Sequence, residues 1–143
     1  MKLYHISSND LNGKILQPKI PSNILTKIGA EDNKTPRVSF APTIDHALLA
    51  IGFNRLKSGP KLLNVYEPTA YKNIVTDKQL DSKGFVPDAN KTKEHWITKP
   101  VRLKYVGKIR LIKPSKKFVE VRAGSIKLKN YYWEYKVIVG DLE

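Results

Sequence analysis

Histidine offers the most versatile acid–base chemistry near neutral pH, and this chain has three: His5, His46 and His95. Cysteine is absent, which excludes thiol catalysis, disulfides, iron–sulfur clusters and Cys-ligated zinc. No two histidines stand at metal-ligand spacing, and no Gly-rich phosphate loop or nucleophile elbow occurs. Chemistry must then come from single residues that the fold brings together. His5 lies between Tyr4 and Ile6, just before the turn-rich run Ser7 to Gly13. At a strand end it either hydrogen-bonds into a cleft or is a satisfied structural histidine. His46 falls in the first turn of a predicted helix and reads as structural. His95-Trp96 lies in a polar stretch, where Trp96 is expected to plug a loop.

Few elements are available to position these residues. Short strands are predicted over 2–6, 37–40 and 62–66, the last ended by Glu67-Pro68. Thr43 reads as an N-cap with Asp45 in the first turn, and Ile44, Ala47, Leu48 and Ile51 recur at helical spacing, which predicts a helix over 44–55. Residues 14–36 carry Pro18, Pro21 and Pro36 and read as loop, with a short helix after Ser22. Residues 69–100 are polar and interrupted by Gly84, Pro87 and Pro100, the pattern of a functional loop. Alternation predicts a strand over 101–112, a hairpin of 118–122 and 126–129 turned at Ala123-Gly124, and a closing strand over 131–139. Five to seven strands with one or two helices define an α+β fold dominated by antiparallel sheet, in one domain spanning 1–143.

The 143 residues carry 26 Lys and Arg against 13 Asp and Glu, a formal charge of +13. Residues 1–98 hold +5 of it and residues 99–143 the other +8. A field of this sign attracts nucleotides, nucleic acid or an acidic protein surface. The run Tyr131-Tyr132-Trp133-Glu134-Tyr135 sets aromatics among basic strands, and reads either as a stacking surface for single-stranded nucleic acid or as a two-sided buried strand. No apolar run reaches transmembrane length, and the N-terminal residues lack the apolar core of a secretory signal, so a cytoplasmic protein with no membrane partner is expected.

The order of several short segments resembles the ADP-ribosyltransferase superfamily, and within it the rifampin ADP-ribosyltransferases. The segments are Leu3-Tyr4-His5-Ile6-Ser7, Leu16-Gln17-Pro18 with Ser22-Asn23, and Val38-Ser39-Phe40-Ala41-Pro42-Thr43 before the helix with Ala47. Val65-Tyr66-Glu67-Pro68, Val75-Thr76-Asp77-Lys78, and Pro100-Val101 with Val106-Gly107-Lys108-Ile109 follow. Together they cover about residues 3–112 and leave 113–143 as basic C-terminal strands without a counterpart.

The resemblance implies a small split antiparallel sheet that grips NAD in a central cleft, and transfer of ADP-ribose from NAD to an acceptor with release of nicotinamide. It gives His5 the role of binding ribose. Ser39 takes the second-strand position, with Phe40 as the alternative one residue on. The segment 69–74, where the family has its acid, holds no carboxylate. Asp77 is the nearest acid, and Glu134 is a second candidate. Lys19, Ser22, Asn23 and Arg37 are expected to contact the dinucleotide, although Arg37 also reads as a solvated charge before a strand. The implied function is an NAD-dependent mono-ADP-ribosyltransferase. The alternative is a catalytically inactive module of the same fold that binds a nucleotide, nucleic acid or host protein, such as a phage counter-defence factor.

Overall fold

The computed structural model describes residues 2–21, 34–71, 74–82, 89–123 and 126–142. The short helix expected after Ser22 lies outside them. The chain folds as α+β with antiparallel strand pairing throughout these residues. The strands are β1 (His5–Ser7), β2 (Ile15–Leu16), β3 (Val38–Phe40), β4 (Leu62–Pro68), β5 (His95–Ile97), β6 (Val101–Ala123) and β7 (Ile126–Val139). The helices are α1 (Ile44–Ile51), α2 (Phe53–Ser58), α3 (Asp77–Ser82) and α4 (Ala89–Thr92).

Two sheets form. In the larger, β4 lies between β1 and β6, and β6 also pairs with β2 and β7. The smaller joins β3 to β5. The bridge Tyr4 to Ala41 stitches the two together, through Tyr4 N–H to Ala41 C=O at 2.7 Å and the reciprocal bond at 3.1 Å. Leu3, Val38, Phe40, Tyr66, Ile97 and Leu103 fill the space between the sheets. A second cluster packs Ile44, Ala47 and Leu48 of α1 on Ile6, Val65, Ile109 and Trp133. Each side chain of this size contributes about 1.5–3 kcal/mol by leaving water, so these two clusters hold the sheets in register.

The predicted helix is two helices. Thr43 caps α1 by accepting from the His46 N–H at 3.1 Å, as its position predicts. Gly52, at φ +100°, then breaks the helix, and α2 continues to Ser58. Among the described residues four short helices stand where one or two were expected, because residues 69–100 also contribute α3, α4 and the unpredicted β5. The separate strands expected at 101–112 and 118–122 are one strand. Pro114 does not end it, because it falls where the β6–β7 register shifts, between Leu111/Lys113 and Pro114/Phe118, so the missing N–H costs no regular ladder bond. Beyond residue 111, β6 and β7 project together as a two-stranded ribbon.

Candidate functional site

The Tyr4–Ala41 bridge fixes His5 at the seam between the sheets. Its ring Nδ1 lies 3.0 Å from the Ser39 carbonyl oxygen. A carbonyl only accepts, so Nδ1 carries the hydrogen and Nε2 presents a lone pair. Burial holds the imidazole below its usual pKa, and the Ser39 bond opposes this only in part. His5 is therefore neutral at pH 7, with one nitrogen spent on the fold and the other able to accept. Its ring also packs at 5.6 Å from that of Phe40.

Ser39 reaches His5 through its carbonyl. Its side chain leaves β3 on the face opposite Val38 and Phe40, which are buried against the larger sheet. Directly across the smaller sheet, Phe40 pairs with His95 and Ser39 with Trp96. His95 sets its Nδ1 2.7 Å from the Lys93 carbonyl and its Nε2 3.8 Å from Asp77 Oδ1. Lys93 Nζ lies 3.9 Å from the other Asp77 oxygen. Asp77, at the start of α3, thus joins His5 through an unbroken row of neighbours, His95 and Phe40.

His46 approaches the same group from α1. Burial depresses its pKa first and the Lys93 charge second, while Asp45 and Asp77 pull the other way. Beside it opens a depression of about 460 Å³, lined by Lys2, Tyr4, Thr43, His46, Tyr132 and Tyr135 among others. Burial, reinforced by Asp45 and Tyr4, pushes the Tyr135 phenol up.

The other predicted residues are distributed as follows. Lys19 is exposed and pairs backbone to backbone with Arg37, at 3.0 and 2.9 Å. Arg37 is not a solvated charge: only 3% of it is exposed, its guanidinium sits 4.0 Å above the Trp96 ring, and it donates to Thr35 C=O at 3.1 Å. Ser22 and Asn23 lie outside the described residues. Glu134 is exposed on β7 and faces Lys113 at 3.6 Å, in a different ion pair from Asp77. Trp96 is fully buried, in a cluster with Leu80, but it lies on strand β5 rather than in the loop expected for it.

Two features escaped the sequence reading. Glu94 is buried and accepts from Trp96 Nε1 at 2.7 Å. A lone Glu in a polar stretch gives no sign of burial. The pairing of His95 with Asp77 was the other, and the β-prone triplet His95-Trp96-Ile97 was its available signal. Among the described residues no group of three His, Cys, Asp or Glu side chains could hold a metal ion, and no helix is long and apolar enough to cross a membrane. Compared with family models, curated proteins and solved structures, the chain matches none of them.

Proposed function

We propose that this protein is an NAD-dependent mono-ADP-ribosyltransferase built on a split antiparallel sheet. The observation that carries the reading is the seam itself. A first-strand histidine, held neutral by burial, offers an accepting Nε2 where two antiparallel sheets meet. A ribose hydroxyl is a donor of the right kind for that lone pair.

NAD is the substrate. Its glycosidic bond breaks with the electron pair going to nicotinamide, while an acceptor lone pair forms the new bond to the ribose carbon and the acceptor loses a proton. His5 binds and orients the ribose. Phe40 supports the His5 ring, and the Ser39 carbonyl fixes its tautomer. Lys19 is the exposed cation suited to the diphosphate, because Arg37 is committed to Trp96 and Thr35. Asp77 supplies the negative charge that favours the developing positive charge on the ribose.

One observation favours a second reading, a non-catalytic module that binds the same nucleotide. Asp77 already faces Lys93 and His95, so much of its charge is answered within the protein. Calorimetry with NAD and a nicotinamide-release assay separate the two. The transferase reading expects binding and release, with release cut at least tenfold in His5→Ala. Binding without release supports the module, and no heat of binding at millimolar NAD refutes both.

A further inference from the structure

The face of the larger sheet turned away from α1 is covered at one end and open at the other. From Leu62 to Val65, β4 keeps its register with β6, and Leu63, Val65, Ile109 and Leu111 turn toward α1 and are buried. Leu62, Lys108 and Arg110 therefore point to the opposite face. Paired residues share a face, so Lys136, opposite Arg110, and Val139, opposite Lys108, join them from β7. Ile112 follows inward-turned Leu111 and joins them too. Past Val65 the register shifts, and the same face of β4 carries Tyr66, which packs with Phe40 and Ile97 of the smaller sheet. At the other end Leu62, Ile112 and Val139 remain 42%, 59% and 45% exposed.

These aliphatic groups are interleaved with cations whose charge is unanswered. Arg110 and Lys136 stand directly opposite each other, which destabilises an antiparallel pair. Among the described residues, no carboxylate lies within ion-pair distance of Lys108, Arg110 or Lys136, and Glu134 faces Lys113 instead, at 3.6 Å. An acidic partner relieves this repulsion. A second copy does not, because each chain carries +13 and the two faces would meet cation to cation. Nucleic acid would use the cations but not the aliphatic groups, since no ring stands among these six side chains for a base to stack on. The size of the patch points to a helix. Two strand spacings make it roughly 10 Å wide, and Lys108 to Ile112 makes it roughly 13 Å long. One α-helix with its side chains is about 10–12 Å across.

We infer that the open end of this face, centred on Arg110, docks an acidic amphipathic helix of a partner protein. This inference does not rest on the NAD reading, and its test uses no NAD. The probe is a fluorescein-labelled peptide of about 18 residues, with leucines at helical spacing and glutamates flanking that stripe. Its control has the same composition with the spacing scrambled. Full-length protein is titrated into each peptide and followed by anisotropy at about 50 mM salt, where surface charges are weakly screened. The striped peptide should bind at least about tenfold more tightly than the scrambled one, the effect of burying one or two leucines. Arg110→Glu with Lys136→Glu should weaken its binding about tenfold or more, because two surface attractions become repulsions. Leu62→Ser should weaken it about threefold or more through lost apolar contact. Lys14→Glu, an exposed cation elsewhere, should leave it within about twofold. The inference is overturned if the striped peptide does not bind, if both peptides bind equally, or if the double variant or Leu62→Ser binds like wild type. Tighter binding of a single-stranded oligonucleotide or of anionic phospholipid vesicles, lost in the same double variant while its melting curve stays that of wild type, would equally overturn it.

Discussion

Asn130 offers the sharpest test of how the helical layer is built. Its side-chain amide stands between Leu49 and Phe53, two residues that would share a backbone hydrogen bond in an unbroken helix. The Leu49 carbonyl instead accepts from Asn130 Nδ2 at 2.6 Å, and the Phe53 N–H donates to Asn130 Oδ1 at 3.1 Å. The side chain is thus spliced into the gap that Gly52 opens, as insertions into a helical ladder are known to bend it. It also caps α2, which has no side-chain cap of its own. Asn130→Ala removes both partners at once. A buried group left without a hydrogen bond costs about 1–3 kcal/mol. Leu49 is buried and Phe53 half-buried, so the loss should be about 2–4 kcal/mol. Asn130→Asp keeps the acceptor for Phe53 but turns an oxygen toward the Leu49 carbonyl, and should cost at least as much. Urea titration followed by tryptophan fluorescence reads both. A loss below about 0.5 kcal/mol for the alanine variant would mean that the helices rejoin or water fills the gap, and the splice has no energetic role.

Three further outcomes are expected. The native pKa values of His5 and His46 lie below 6.5, so as pH falls past that value the unfolded chain binds protons the native chain refuses. Stability is full above pH 6.5 and declines toward pH 5, by at most about 1.4 kcal/mol per pH unit for each histidine, and His5→Gln should flatten the decline. Urea midpoints at pH 7.5 and 5.5 check this, and a flat wild-type profile contradicts it. Gly107→Ala would drive a methyl group into the Val139 carbonyl and the Leu142 side chain, costing about 1–3 kcal/mol, visible as a lower melting temperature. Trp96→Phe deletes the donor to buried Glu94 and should cost about 1.5–3 kcal/mol in the same titration, while a neutral result would show that Glu94 is satisfied without it.

The antiparallel α+β class was legible because alternation over 101–112 and 131–139 and the capped helical pattern after Thr43 are local signals. Gly52 was visible in the sequence, but the break it makes depends on Asn130, far along the chain. β3 was legible over 37–40, but its partner β5 was hidden for a related reason. The triplet His95–Ile97 inside a polar stretch carries too little periodicity to declare itself, and the pair forms here because Phe40 and Ile97 share one buried cluster. His5 could be singled out by its setting, whereas its tautomer could not, since the partner is a backbone carbonyl that any residue at position 39 would supply.

That last point changes what Ser39 is expected to do. If its hydroxyl acted on a substrate, Ser39→Ala would reduce turnover. The hydrogen bond that holds His5 uses the carbonyl, and Ser39 pairs with Trp96 on the face away from Phe40. Ser39→Ala should therefore preserve the His5 tautomer and keep nicotinamide release within about twofold of wild type, a difference of only about 0.4 kcal/mol in barrier. Proline at this position would distort β3, so alanine is the informative change. An imidazole nitrogen NMR spectrum of His5 in the alanine variant reads the tautomer directly. A switch to the Nε2–H form would show that the hydroxyl, rather than the backbone, sets the chemistry of the seam.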